Sequence, residues 1–490
     1  MSLFAAASSC FPFSRRGLPI LRARGEDMRV MTTPSEFYQA LLDGISGARE
    51  RITISALYLG TGELEKQLVS ALAKAMQMTP NLEVNLLLDH SRALRGSKNS
   101  ITMLAALMRE QPSVRCHCML YRMPQLEGAA GYILPSPLTE AVAVLHTKYM
   151  AFDDDVIITG ANLSASYFTH RQDRYLQFRQ HPALATLYHS LAPMVGEHSF
   201  TLDTCGTTLR PPVPTDASLD RLRLGLENLW SELGSGDKEV LLPLSRTQRT
   251  APTLPPYSAG SFDTQLLPTL QHKSIGISWD EAVLRELMGD ACSRWALQTE
   301  LMPIQAAPIG SRALTSPTVR LATAYLNLTE PFRETLRHHQ GPVCVLSAAM
   351  ESHGFFGASG IKARIPEAYE HLVDELSIAA PRVSVLRYKR PGWTFHAKGL
   401  WLSSGSTTPQ DGQGATPMLN LCSIGSSNFG IRSTHHDFET QLYIQSENTK
   451  LNQALSKEWD GLRRHAEPHG KTEEGKRVTR PWVRYVQPWL

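Results

Sequence analysis

At residues 146–148 (HTK) and again at residues 396–398 (HAK) of this 490-residue chain, a histidine stands two places before a lysine. On extended backbone, residues i and i+2 face the same way, so His146 presents with Lys148 and His396 with Lys398. An ammonium is a compact cation suited to phosphoryl oxygens. An imidazole can attack phosphorus, or move a proton at an oxygen bonded to it, once a carboxylate fixes its tautomer through the other ring nitrogen. One such pair is usually a solvated strand end; here each is followed by a glycine-asparagine segment and then an acid. Asp173 comes eleven residues after Asn162, and Glu439 eleven after Asn428. An asparagine amide donates to phosphoryl oxygens, and Asp173 and Glu439 are the acids placed to orient the histidines. Two such sets facing each other supply one nucleophilic histidine, one acid/base histidine and two lysines around a single phosphate. That chemistry needs no metal and no cofactor, because fixed cations and amides stabilise the charge that develops.

The elements around the two sets repeat in order. ITISALYLGTGELEKQLVSAL (52–72) has the plan of VRLATAYLNLTEPFRETLRHH (319–339), and LEVNLLLDHSRALRGS (82–97) that of PVCVLSAAMESHGFFGAS (342–359). HTKYMAF (146–152) matches HAKGLWL (396–402), and TGANLSASYFTHRQDRY (159–175) matches IGSSNFGIRSTHHDFET (424–440). Asn428 follows His396 at twice the distance that separates Asn162 from His146. The low-complexity loop SSGSTTPQDGQGATP accounts for the extra length. Short β-branched or leucine-rich runs alternate with helical periods, which predicts an α/β fold of two tandem repeats around a pseudo-two-fold axis. The first repeat is expected over residues 29–205 and the second over 311–490, with a connecting segment of helices and Pro/Ser-rich loops over 206–310.

Hydrophobic residues make up 42% of the chain, as in a globular protein. The net charge of +3, from 49 basic and 46 acidic residues, gives no overall field for nucleic acid. Seven scattered cysteines, of which only Cys116, His117 and Cys118 cluster, match no zinc spacing and read as reduced thiols. Residues 1–28 carry Arg15, Arg16, Arg22 and Arg24 and no acid before Glu26, the composition of a mitochondrial presequence. No run is long and apolar enough for a spanning helix, so membrane contact would be peripheral.

Three further stretches could bind phosphate or lipid. Arg92, Arg95 and Lys98 sit at a strand exit, a place for the phosphate of an acceptor or for a cytidylyl group. The turn Ser55, Ala56, Leu57, Tyr58, Leu59, Gly60, Thr61 and Gly62 leads into a helix N-terminus, a candidate nucleotide-binding segment that lacks a P-loop lysine. Lys389, Arg390, Trp393 and Phe395, and the tail GKRVTRPWVRYVQPWL, mix basic and aromatic residues as lipid headgroup interfaces do.

HTKYMAFDD with its following GAN segment resembles the signature of the phospholipase D superfamily. SALYLGTGELE, LLLDHSRALRGSKNS, ESHGFFGASG, RPGWTFHAKGLWL and IGSSNFGIRSTHHDFE extend the resemblance over residues 50 to 445, toward its members that act on CDP-diacylglycerol. The resemblance implies His146, Lys148, Asp153, His396 and Lys398 as the catalytic set. Asp153 has no counterpart in the second copy, where Ser403 stands, and is therefore expected to brace its motif. The reaction implied is transfer of a phosphatidyl group from CDP-diacylglycerol to sn-glycerol 3-phosphate through a phosphatidyl-histidine, giving phosphatidylglycerophosphate and CMP at the mitochondrial inner membrane. His146 is the nucleophile in this reading. A phosphatidylserine synthase of the same superfamily would accept serine instead, and a phospholipase or nuclease would use water.

Overall fold

A computed structural model of the chain describes residues 18–110, 115–127, 136–212, 218–234, 262–288, 317–403, 419–470 and 481–490. Two large mixed sheets form, and eight strands of each follow the same order. At the centre of the first lie three parallel strands, Arg51–Ala56, Glu83–Asp89 and Cys116–Tyr121. From Arg51–Ala56 the sheet runs on antiparallel through Tyr149–Phe152, Asp155–Thr159 and Tyr175–Phe178 to Met28–Met31. In the second sheet the parallel strands are Thr318–Thr323, Val343–Ala348 and Val383–Tyr388. It continues antiparallel through Gly399–Ser403, Leu419–Gly425 and Glu439–Ser446 to Thr264–His272.

The β-branched and leucine-rich runs form strands because both faces of each sheet are covered. On the outer face of the first, Phe37, Leu41, Leu68, Leu72 and Leu104 from helices Pro34–Gly47, Glu63–Met78 and Ser100–Glu110 pack on Ile52, Ile54 and Val84. Thr33 starts the first of these helices with a capping box to Glu36 and a proline at its first turn. Val283, Leu287, Phe332, Leu336, Val373 and Leu376 cover the outer face of the second sheet in the same way. The inner faces share one core, in which Leu187 and Leu191 of helix Pro182–Gly196 and Leu455 and Trp459 of helix Thr449–Arg463 join Tyr149 and Trp401. Each such large apolar side chain contributes about 1.5–3 kcal/mol by burial, and the shared layer fixes one repeat against the other.

Two expected boundaries move. Residues 18–28, assigned above to a presequence, belong to the folded body: Leu21–Ala23 pairs with Thr264–His272, and Leu21 and Ala23 are buried. Residues 1–17 of that stretch lie outside the described residues. The connecting segment is also shorter than 206–310. Strand Thr264–His272 occupies the place in its sheet that Met28–Met31 occupies in the other, and helix Trp279–Met288 follows it as Pro34–Gly47 follows Met28–Met31. The second repeat therefore starts by residue 264. Pro268 within that strand, and low sequence similarity to its counterpart, hid the equivalence. The loop between His396 and Asn428 falls partly outside the described residues. Cys116 and Cys118 are buried on one face of their strand and His117 is exposed on the other, so the three do not converge. Among the described residues no helix is long and apolar enough to cross a membrane.

Candidate active site

The two His-x-Lys segments lie just ahead of strands Tyr149–Phe152 and Gly399–Ser403 rather than within them. Each is held by the other repeat. The His146 N–H donates to Phe438 O at 2.8 Å and the Phe438 N–H to Val144 O at 3.0 Å. In the same way the His396 N–H donates to Gln172 O at 2.7 Å, and the Thr394 N–H to His170 O at 3.0 Å. Phe438 and Gln172 immediately precede Glu439 and Asp173, so this backbone exchange brings each late carboxylate to the histidine of the opposite repeat. His146 Nδ1 is 2.8 Å from Glu439 Oε2, and His396 Nδ1 is 2.6 Å from Asp173 Oδ2. The orienting pairs expected from sequence therefore form, but crosswise.

Ser433 donates to the other Glu439 oxygen at 2.7 Å, and the Arg174 N–H to Asp173 Oδ1 at 2.8 Å. Burial pushes the Glu439 carboxyl up, but His146 and Lys148 outweigh it and hold the group down at about 2. Burial pushes Asp173 up, against the pull of Lys398. His146 is pushed down by burial, against the attraction of Glu439, and His396 well down by burial and the Lys398 charge. Both imidazoles are therefore neutral at pH 7, and the carboxylate beside each Nδ1 assigns the ring hydrogen to that nitrogen.

The two Nε2 atoms differ. Tyr167 Oη lies 3.2 Å from His396 Nε2 and already accepts hydrogen bonds from Asn162 Nδ2 (3.0 Å) and Arg171 Nη1 (3.1 Å). Its own hydrogen therefore goes to His396. No described residue bonds to His146 Nε2, and the His146 side chain is 12% exposed against 4% for His396. His146 is thus the imidazole with an open lone pair.

Both lysines are fully buried between the carboxylates. Lys148 Nζ donates to His146 O at 2.7 Å. Lys398 Nζ sits 3.3 Å from Asp173 Oδ2 and 2.6 Å from His396 Nδ1. Burial pulls Lys148 down to about 7 and Lys398 down as well, against the attraction of the nearby carboxylates. Lys398 reaches across to Gly160 O, and a Cβ at residue 160 would fall 2.7 Å from its Nζ. This crossing explains why a glycine precedes Asn162. Behind it Arg174 spans the repeats: it is paired with Glu458 (2.8 Å), stacks 3.9 Å over Trp401 and donates to Lys398 O.

Several expected site residues have other employment. Asp153 is not catalytic: at φ 48° beyond the far end of strand Tyr149–Phe152, it accepts the N–H groups of Arg49, Glu50 and Arg51 at 2.8–2.9 Å. Its bracing role comes from backbone amides and not from the motif. The Gly60–Gly62 turn is no phosphate cradle, because the buried carboxylate of Glu65 packs into it and accepts the Ala165 N–H. Of the rest of that stretch, Ser55 bonds Thr147 at 2.6 Å, Ala56 and Leu59 are buried, and Tyr58 lies 4.1 Å under Arg92. Asn162 spends its amide on Tyr167 rather than facing a phosphate, and the side-chain oxygens of Asn162 and Asn428 are buried without partners. Arg95 pairs with Glu140 at 3.1 Å and Arg92 at 3.9 Å, so their charge is partly matched; Lys98 is exposed. Trp393 lies under Arg390 (3.5 Å) and packs on the core, and Phe395 is buried.

Sequence reading missed Tyr167, Arg171 and Tyr325, all within one side chain of His396. Tyr167 and Arg171 fall inside the repeated block, and their lack of counterparts in the second copy was the available signal.

No protein-family model matches the chain. The sequence is 32% identical over 506 residues, 98% of this chain and 85% of the other, to the mitochondrial CDP-diacylglycerol–glycerol-3-phosphate 3-phosphatidyltransferase of Homo sapiens. It is 31% identical over 518 residues, 100% of this chain and 87% of the other, to the protein of that name from Gallus gallus. A CDP-diacylglycerol–glycerol-3-phosphate 3-phosphatidyltransferase of Schizosaccharomyces pombe is 27% identical over 483 residues. Among solved structures, the phosphatidylserine synthase of Haemophilus influenzae Rd KW20 superposes with a TM-score of 0.64 at 17% identity, covering 99% of this chain and 96% of that one, a likeness of fold.

Proposed function

Since this chain belongs to the family of the CDP-diacylglycerol–glycerol-3-phosphate 3-phosphatidyltransferases, we propose that it transfers a phosphatidyl group from CDP-diacylglycerol to glycerol 3-phosphate, releasing CMP, by double displacement on histidine. The observation that carries the mechanism is the crosswise pairing: two neutral imidazoles, each oriented by a carboxylate of the opposite repeat, enclose two buried lysines. His146 Nε2, with its open lone pair, attacks the phosphorus that bears diacylglycerol. A P–N bond forms, the P–O bond to CMP breaks, and CMP departs with the bonding electrons. A hydroxyl of glycerol 3-phosphate then displaces Tyr167 from His396 Nε2 and gives up its proton there. Its oxygen forms the new P–O bond as the P–N bond breaks, and His396 returns its proton to solvent. Lys148 and Lys398 hold the non-bridging oxygens in both steps, where fixed charge in a dry site acts most strongly.

The relatives' names place those proteins in mitochondria, and this chain works there on a lipid substrate, at the inner membrane. Exposed Phe356, Tyr485 and Trp489, with Arg390 over Trp393, are residues suited to rest on a membrane surface. The test gives purified protein CDP-diacylglycerol with glycerol 3-phosphate, with serine, or with water alone, and identifies the lipid formed. Phosphatidylglycerophosphate is expected. Phosphatidic acid as the dominant product in the presence of glycerol 3-phosphate would falsify the transferase reading, and phosphatidylserine would favour a serine acceptor.

A further inference from the structure

Beside the histidines the two repeats carry opposite charges at one matched position. Two residues before Asp173 stands Arg171, and two residues before Glu439 stands Asp437. Asp437 is neutralised in place: Arg432 donates to it at 2.9 and 3.2 Å and the Val144 N–H at 3.0 Å. Arg171 has no such counter-charge. Its Nε donates to Thr394 Oγ1 at 3.0 Å and its Nη1 to Tyr167 Oη at 3.1 Å, while the guanidinium lies 4.7 Å over the Tyr167 ring. Among the described residues no carboxylate pairs with it and nothing accepts from Nη2. A half-buried guanidinium without an anion is costly.

Nη2 and the Tyr325 hydroxyl both lie against Gly354, close enough that a side chain at 354 would press on them. A Cβ on Gly354 would lie 3.4 Å from Arg171 Nη2 and 3.2 Å from Tyr325 Oη. The Tyr325 hydroxyl has no hydrogen-bond partner among the described residues, and its ring stands edge-on to His396 at 5.7 Å and to His353 at 5.2 Å. His353, 2% exposed, accepts the Phe355 N–H on Nδ1, so Nε2 carries the hydrogen, and that buried donor has no acceptor. Three neighbouring groups thus offer hydrogens, and among the described residues no carboxylate accepts them.

We propose that Arg171, Tyr325 and His353 form a phosphate-monoester subsite on the His396 side of the cleft, and that its occupant is the phosphate of the acceptor alcohol. The second clause rests on the transferase reading above. CMP also carries a phosphate monoester, but that phosphate is bonded to the transferred phosphorus before it leaves and belongs among Lys148 and Lys398. A site one side chain beyond His396 suits a phosphate carried on a carbon away from the attacking hydroxyl. Serine has no group for this site, so the subsite selects glycerol 3-phosphate.

The test measures thermal unfolding of the full chain with glycerol 3-phosphate, glycerol, CMP or cytidine, for wild type, Arg171→Gln and Arg171→Lys, alongside KM for each substrate. Glycerol 3-phosphate, and not glycerol, is expected to raise the melting temperature of wild type. Arg171→Gln should need about ten- to a hundredfold more of it, the loss expected for a charge-assisted hydrogen bond. KM for glycerol 3-phosphate should rise by the same factor, KM for CDP-diacylglycerol should move by less than about twofold, and Arg171→Lys should recover part of the loss. Unchanged affinity for glycerol 3-phosphate in Arg171→Gln overturns the proposal, as does a loss confined to CMP. Acceptor binding that depends on Arg171 in a protein forming no phosphatidylglycerophosphate would leave the subsite standing and remove the transferase reading.

Discussion

Removing the charge of Glu439 should disable His146, although the two belong to different repeats. When His146 Nε2 bonds phosphorus the ring becomes cationic, and its Nδ1 lies 2.8 Å from a carboxylate held ionised at about 2. At an effective dielectric near 20, unit charges about 4 Å apart interact by about 4 kcal/mol, which corresponds to about three powers of ten in rate. Glu439→Gln keeps the shape and a hydrogen-bonding group but loses this attraction and frees the tautomer. The assay is single-turnover trapping of labelled phosphatidyl-enzyme from CDP-diacylglycerol, with CMP release followed in parallel. Glu439→Gln should form the adduct about a thousandfold more slowly. Asp173→Asn removes the partner of His396, so the adduct should form yet be resolved slowly by glycerol 3-phosphate, and should accumulate above the wild-type level. The opposite pattern, normal adduct formation in Glu439→Gln and none in Asp173→Asn, would refute both the crosswise pairing as the functional one and His146 as nucleophile.

Lys148, brought down to about 7 by burial, gives a pH signature: in the free enzyme the cation is lost as pH rises through that value, so kcat/KM for CDP-diacylglycerol should fall on the alkaline side. Lys148→Arg should move that limb up by two pH units or more, in a pH–rate profile. The folded pKa lies below the unfolded 10.5, so the unfolded chain binds more protons between about 7 and 10.5, and the stability deficit of wild type relative to Lys148→Met should shrink across that window, read from urea midpoints. Asp153→Ala leaves three backbone N–H groups without their acceptor and a non-glycine residue at φ 48°, and should cost about 1–3 kcal/mol in urea unfolding with kcat unchanged. Arg174→Met strands Glu458 inside the protein and should cost about 3–5 kcal/mol, whereas Arg174→Met with Glu458→Leu should recover much of it in the same measurement.

Most of the elements were legible because period and burial coincide. The run YMAF is the strand Tyr149–Phe152, buried along its length, and LEVNLLLD contains the strand Glu83–Asp89, buried from Val84 onward, each between helices on one side and the shared core on the other. The first strand of the second repeat was not legible. Thr264–His272 follows a proline- and serine-rich stretch and carries Pro268, and only its pairing along Glu439–Ser446 declares its place. The same limit applied to Asp153, whose position in a family motif suggested chemistry while its contacts are three amides at a strand end.

Local sequence fixed what each repeat contains, since a two-residue period puts His146 with Lys148 and a fixed offset carries Asp173 and Glu439 with their asparagines. It could not assign partners between repeats, because hydrogen bonds between segments more than 200 residues apart are set by how the two inner sheet faces pack. That packing joins 144–146 to 437–438 and 394–396 to 170–172, which hands each histidine the other repeat's acid. It also sets Arg171 beside Gly354 and Tyr325 with no carboxylate paired to it among the described residues, an asymmetry that two similar copies show only when they face each other.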